Sequence, residues 1–274
     1  YPFGAIGEAL DYVVEGRGDT IVVAPGLYAE QLTLKPNVRL VSQTGAAETH
    51  IVCATPDGTA ITMADGSAVH GFTIGQTSGS AVSVPADIIV DMTNCIVHSS
   101  GTGLYIAERA LVECVNNVFV ANNYGVYAEP TAVFSGLKNN VFDANGVAAS
   151  ADVDAVGGGG YNVFNANEVD LEGLVPDPTD LWVDPQFVDS ASFDFSLTET
   201  SPCRDAGDPD ALYLDADGSR NDIGATGGVY FEVPDDAFLV GDVNRDGLTN
   251  ALDVQLLINA ALNLGVPEYN CDLN

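Results

Sequence analysis

A short phrase returns along this chain at an almost fixed interval. It reads Asn94-Cys-Ile-Val-His, then Asn117-Val-Phe-Val-Ala, Asn140-Val-Phe-Asp-Ala and Asn162-Val-Phe-Asn-Ala, at spacings of 23, 23 and 22 residues. A further 23 residues back stands Gly71-Phe-Thr-Ile, where the register is expected to begin. A fixed period in the low twenties marks a solenoid, whose units bury apolar surface only by stacking on one another.

The composition of the unit says which solenoid. One apolar run precedes the Asn (Ile88–Val90, Leu111–Val112, Ala132–Phe134), one follows it, and a third follows the next Gly (Ala81–Val84, Leu104–Ile106, Val126–Tyr127). Runs this short, rich in Val, Ile and Phe and separated by Gly, Asn and Ser, read as strands and turns. No unit has room for a ten-residue helix, and the Leu-x-x-Leu-x-Leu framework of a leucine-rich repeat is absent. The expected fold is all-β: a right-handed parallel β-helix with about 23 residues per coil. In it the repeated Asn residues (94, 117, 140, 162) should make the left-handed bends between strands and hydrogen-bond up the stack. Two residues on, Ile96, Phe119, Phe142 and Phe164 should form an apolar column inside the coil.

Charge excludes several function classes. Thirty-nine acidic residues against eight basic ones give a net charge of −31 over 274 residues. Such a field repels nucleic acid and anionic membranes and favours cations, calcium above all. An anionic polysaccharide would need a bridging metal or a local basic patch. No apolar run is long enough to span a bilayer, and a chain opening Tyr1-Pro2-Phe3 without Met is expected to be processed or truncated. The five cysteines have no metal-type spacing. Cys95 and Cys114 fall on neighbouring coils at non-equivalent positions, which leaves a disulfide open beside the alternative of small buried residues.

Residues 3–15 place Ile6, Leu10, Val13 and Val14 on one helical face. Gly18-Asp-Thr-Ile-Val-Val-Ala-Pro-Gly-Leu-Tyr28 then starts the first strands. This opening resembles that of pectin-lyase-like β-helix proteins, and the resemblance implies a helix that caps the first coil. Gly157–Gly160 read as a tight or bulged corner, since neither helix nor Lys follows to make a phosphate cradle. The period is lost over 168–230. There Asp184-Pro-Gln-Phe-Val-Asp189, Ser201-Pro-Cys-Arg-Asp-Ala-Gly-Asp208 and Asp215-Ala-Asp-Gly-Ser-Arg-Asn-Asp222 resemble the closing region of secreted bacterial β-helix proteins. The resemblance implies fold and secretion to an extracellular or cell-surface location, and names no reaction. Asp215, Asp217 and Asp222 are read as turn caps, with calcium binding as the alternative. The organisation expected is a β-helix with its cap over 1–167, a closing region at 168–230, an acidic linker at 231–239 and a small module at 240–274.

That module carries the sharpest chemical signal. Asp242-Val-Asn-Arg-Asp-Gly-Leu-Thr-Asn-Ala-Leu-Asp253 puts oxygen ligands at the first, third, fifth, ninth and twelfth places, with Gly at the sixth. Calcium takes six to eight oxygens in a flexible cage, and this spacing wraps one segment round the ion. The expected ligands of Ca2+ are the side chains of Asp242, Asn244 and Asp246, the carbonyl of Leu248, Asn250 directly or through water, and Asp253 through both oxygens. Val254, Leu257, Ile258, Ala261 and Leu262 follow at helical spacing. A helix on one side only and Asp at the twelfth place resemble a dockerin, a duplicated loop–helix module that binds a cohesin. Asp272 and Asn274 would open a second loop, incomplete within the sequence. The pair Ala251-Leu252, where dockerins commonly carry polar residues, departs from that pattern and weakens the implied cohesin partner.

The regular coils from 71 to 167 contain only Arg109 and Lys138 as bases. Neither has an evident acidic partner one coil away, so no catalytic set is assigned. His50, His70 and His98 are read as surface or turn residues. The first expectation is therefore a secreted, non-catalytic structural protein, a rigid acidic rod joined through its ends and its calcium module into self-assemblies such as filaments. The second is a polysaccharide-binding or -cleaving lyase or hydrolase docked through that module. Outward acids on adjacent coils beside a Lys or Arg would favour the second.

Overall fold

The computed structural model describes residues 3–14, 17–152, 155, 157–228 and the strand Phe238–Leu239. The chain winds into a parallel β-helix with three strands per coil, and every ladder in the solenoid is parallel. The first sheet stacks Thr20–Val23, Arg39–Ser42, Ala68–His70, Ile89–Thr93, Leu111–Val115, Val133–Lys138 and Gly159–Gly160. The second stacks Gly26–Glu30, Thr49–Cys53, residues 73–77 and 96–100, Val118–Val120, Val141–Asp143 and Val163–Asn165. The third stacks Leu32–Thr33, Ile61–Thr62, residues 80–84 and 102–106, Tyr124–Ala128, Val147–Ser150 and Val169–Glu172. Thr73–Val84 and Ile96–Ile106 run through the second corner unbroken, so the second and third sheets are continuous there. Twisted parallel strands joined this way favour the right-handed crossover.

The strand register corrects the reading of the repeat by one residue. Cys95, not Asn94, is the equivalent of Asn117, because Ile96 pairs with Val118 and Val97 with Phe119. Two jobs assigned to one Asn are thus divided between neighbours. The left-handed bend belongs to Gly71, Asn94, Asn116, Asn139 and Tyr161, at φ of 76°, 53°, 57°, 54° and 57°. The ladder belongs to the residue that follows. Asn117 Oδ1 accepts from the Cys95 N–H, Asn140 Oδ1 from Asn117 and Asn162 Oδ1 from Asn140, at 2.9–3.1 Å. Each side-chain N–H2 donates back to a buried carbonyl: Asn117 to Met92, Asn140 to Cys114 and Asn162 to Leu137. Asp180 ends the column by accepting from both nitrogens of Asn162. A carboxylate suits that last place because it only needs to accept.

The next corner holds a second ladder, which the sequence reading passed over. Ser99, Ala121, Ala144 and Ala166 make the left-handed bend. Asn122, Asn145 and Asn167 then link Ser100 to the coils beyond it, with 2.9–3.1 Å bonds from each backbone N–H to the next Asn oxygen.

Inside the coil, Phe119, Phe142 and Phe164 stack at 5.2 and 5.3 Å with nearly parallel rings, and Trp182 continues the column at 5.5 Å. Ile51, Ile74 and Val97 precede Phe119 in the same inward row. Ile96 points the other way, in register with Val118, Val141 and Val163. That outward row is buried because residues 181–225 run back along the flank of the second sheet, and Phe195, Cys203, Ile223 and Ala225 pack onto it. Runs apolar at every residue, such as Val118-Phe119-Val120, are what a strand covered on both faces requires. The bend residues tie the strap down. Asn94 Nδ2 donates to the Ala225 and Gly227 carbonyls, Asn116 exchanges bonds with Asn221, and Asn139 Oδ1 accepts from the Asp208 N–H.

At the other end, helix α1 (Ile6–Tyr12) packs Ile6, Ala9 and Leu10 on the first coil, as the capping expectation required. Glu30 from the second sheet accepts from the Ile6 and Gly7 N–H groups at 2.9 and 2.8 Å, holding the start of the helix. Val14, expected on the buried face, lies beyond the helix and is exposed. Phe238–Leu239 runs parallel to Thr20–Val23 at the edge of the first sheet. Gly159–Gly160 is a strand of that sheet rather than a corner, and a side chain at Gly158 would press on the Ser135 carbonyl at 3.0 Å.

Candidate functional site on the first sheet

Alternation along the first sheet sends Met92, Cys114 and Leu137 inward and their neighbours outward. The outward neighbours form two rows across the coils. One runs Arg39, Ala68, Asp91, Glu113, Gly136; the other runs Val41, His70, Thr93, Val115, Lys138. Asp91 and Glu113 therefore stand side by side on adjacent strands, roughly 5 Å apart by strand spacing. A register shift between Val112 and Glu113 places Gly136 opposite Glu113, so no side chain crowds the carboxylate from the following coil.

Both carboxyls are held above the ordinary range. For Glu113 the larger cause is burial, then the Asp91 charge, with Lys138 opposing. For Asp91 it is desolvation on this crowded face, with the Arg39 charge opposing. Like charges on neighbouring strands disfavour simultaneous ionisation, and here that effect is felt by Glu113.

The strap completes the surroundings. Lys138 Nζ binds Asp208 Oδ2 at 2.7 Å and lies 4.8 Å from the centre of the Tyr213 ring. Burial disfavours the ammonium, but the Asp208 hydrogen bond, Tyr213 and the Asp208 charge together outweigh it, and the Lys138 pKa moves up. Asp208 loses to burial and gains more from Lys138 and a backbone N–H, so its pKa moves down. Glu113, Thr93 and His70 from the sheet and Leu212 and Tyr213 from the strap line a pocket of about 200 Å3. That is below the range usual for drug-sized ligands and suits one small moiety of a larger substrate.

Several sequence expectations change here. Lys138 does sit beside an acidic pair, at a diagonal that only the register reveals. Arg109 has a partner one coil back, where Asp87 accepts from Nε and Nη2 at 2.6 and 2.7 Å. His70 and His98 are buried rather than surface residues and lie on different sheets. Burial pushes each imidazole down to about 4, with a further contribution from His50 at His98. His70 Nδ1 bonds Thr93 Oγ1 at 2.6 Å, and His98 packs under Phe193 of the strap at 4.6 Å.

Cys95 and Cys114 are separate buried thiols. The strap aspartates serve its turns: Asp215 accepts from the Asp222 and Gly228 N–H groups, Asp217 from Ser219, and Asp222 from Asp205. Among the described residues no three His, Cys, Asp or Glu side chains converge to hold a metal ion. The expected calcium ligands Asp242, Asn244, Asp246, Leu248, Asn250 and Asp253, the helix after them, Cys271 and the second loop start lie outside the described residues.

No protein-family model and no curated protein matches the sequence. Among solved structures, the chain is similar to a pectin methylesterase variant in complex with a hexasaccharide, at 12% identity and a TM-score of 0.37, covering 64% of this chain and 76% of that one. It is also similar to a second pectin methylesterase–hexasaccharide complex, at 12% identity and a TM-score of 0.33, covering 62% and 77%. Neither likeness is close enough to bear on activity, and the β-helix is established by its own strand register.

Proposed function

We propose that the outer face of the first sheet binds and hydrolyses a polysaccharide, with Glu113 as proton donor and Asp91 as its partner carboxylate. The observation that carries this reading is the in-register Asp91–Glu113 pair, both pKa values raised, beside Lys138 and Tyr213. Carboxyls carried in register by adjacent strands, whose backbones lie about 4.8 Å apart, favour the closer of the two carboxyl arrangements of glycoside hydrolysis, the retaining one. Glu113 protonates the leaving oxygen while Asp91 attacks the anomeric carbon. Glu113, now ionised, then takes a proton from the water that cleaves the resulting ester. The net charge of −31 favours a neutral chain over a polyanion.

The test is release of reducing ends from a panel of neutral and acidic polysaccharides. Asp91→Asn and Glu113→Gln should each lower the rate by about 10²–10⁴-fold with unchanged circular dichroism. Unaltered rates in both variants would refute the assignment.

The terminal module belongs to the same proposal. Its ligand spacing supports a Ca2+-bound loop at Asp242–Asp253, which would dock the rod to a protein partner outside the cell. The non-catalytic filament-subunit reading makes the opposite forecast: no hydrolysis of any polymer, and large native assemblies that dissociate in chelator.

A further inference from the structure

We infer that the corner between the second and third sheets, together with the outer face of the third, binds an uncharged glycan chain lying along the rod. This surface is on a different face from Asp91 and Glu113, so binding there does not depend on chemistry at that pair.

Three tyrosines form a platform. Tyr105 and Tyr127 are in register on adjacent coils, with ring centres 6.1 Å apart and planes within 8°. Tyr124 meets Tyr127 edge-on at 5.5 Å. The Tyr105 hydroxyl donates to Glu129 at 2.5 Å, which fixes the ring. In the same row the pair is followed on either side by Ser83 and Ser150, so small side chains adjoin its outer ring faces.

One residue before Tyr124, at Asn123, begins a groove of about 480 Å3 that crosses successive coils past Ala121, Ser99, Gln76 and Pro56. Its corner residues Gln76, Ser99 and Ala121 are left-handed, at φ of 63°, 51° and 54°. The coils from Pro56 to Ala121 span roughly 14 Å along the axis.

The chemistry selects the ligand. Among the described residues no ionisable side chain lines the groove, although the chain carries a net charge of −31. Thr77, Ser78 and Ser100 spend their hydroxyls on backbone carbonyls. Gln76 and Asn123 are exposed, and their side-chain amides have no hydrogen-bond partner among the described residues. Free amides beside aromatic rings match a sugar chain, whose C–H faces lie on rings while its hydroxyls both donate and accept. A polyanion is repelled by the overall field, and a polycation would go to the carboxylate-rich surfaces instead.

The experiment is affinity electrophoresis of the full chain in gels containing a mixed-linkage β-glucan, a galactomannan or a xylan, with polygalacturonate as the polyanion. At least one neutral polymer should retard the protein. Tyr127→Ala should weaken that binding about tenfold, the loss of one ring from the platform, and Tyr127→Phe should retain it. Asn123→Ala, which breaks no internal side-chain bond, should also weaken it. Tyr127→Ala and Asn123→Ala should cause the same loss of retardation when made in an Asp91→Asn, Glu113→Gln background, which separates this surface from the hydrolysis reading. Absence of retardation by every neutral polymer, binding to polygalacturonate alone, or retention unchanged in both Tyr127→Ala and Asn123→Ala would overturn the inference.

Discussion

Replacing Asn140 by alanine asks how much the inner asparagine ladder holds. The side chain is fully buried. Its oxygen accepts from the Asn117 backbone N–H at 2.9 Å and side-chain N–H2 at 3.1 Å. Its nitrogen donates to the Cys114 carbonyl at 2.9 Å and to Asn162 Oδ1 at 3.1 Å. Alanine keeps the backbone donor to Asn162, and the Cys114 C=O keeps its ladder position against the Val133–Lys138 strand, but the buried Asn117 N–H is orphaned. That costs about 1–3 kcal/mol when it can reach neither partner nor water. With the void left by the amide, the expected loss is about 2–4 kcal/mol. The site lies mid-rod, and stacked repeats are stabilised by nearest-neighbour contacts, so the damage reaches coils on both sides. Urea unfolding followed by far-ultraviolet circular dichroism measures it, with exposed Asn123→Ala as a control expected within about 0.5 kcal/mol. A loss below about 1 kcal/mol for Asn140→Ala would refute the reasoning, because water would then be replacing the ladder.

The buried histidines give a pH prediction. Both folded-state values, about 4, lie below the unfolded value, so the unfolded chain binds the protons more tightly. Their contribution is fully present above about pH 6.5 and is lost as pH falls toward 4, at up to roughly 3 kcal/mol for each. Histidine resonances showing His70 and His98 protonated at pH 6 would contradict it. Asp208→Ala should strand the half-buried Lys138 ammonium and free the Asp210 N–H that the carboxylate accepts from, costing about 2–4 kcal/mol and speeding proteolysis within 181–225 before global unfolding; an unchanged cleavage pattern would count against the strap's anchoring. Calorimetric titration should give one calcium site that Asp242→Ala or Asp246→Ala abolishes, and full binding in both variants would dismiss the loop.

Much of the fold was legible in the sequence because its signals are local. The period, the three short strands and the Gly71 start of the register all follow from residues within one coil of one another. The phenylalanine column was also visible, since Phe119, Phe142 and Phe164 recur in phase. The slip at Asn94 has a physical origin. Asparagine suits both the left-handed bend and the ladder, and Asn116-Asn117 and Asn139-Asn140 supply one for each, so a coil with only one Asn is ambiguous. The following apolar pair, Ile96-Val97 against Val118-Phe119, resolves it.

The candidate site was not legible in that way. Asp91, Glu113 and Lys138 are 22 and 25 residues apart, and the diagonal that joins them depends on the register and the shift beside Glu113. The strap contributes Asp208, Leu212 and Tyr213 without any period of its own.

The sequence by itself determined a parallel three-stranded solenoid, because each coil specifies its own bends and its neighbour completes its hydrogen bonds. Only the tertiary structure decided where the non-repeating strap lies and which face it completes. Those contacts join Asn94 to Gly227 and Lys138 to Asp208, pairs far apart in the chain, and no local propensity specifies such a pairing.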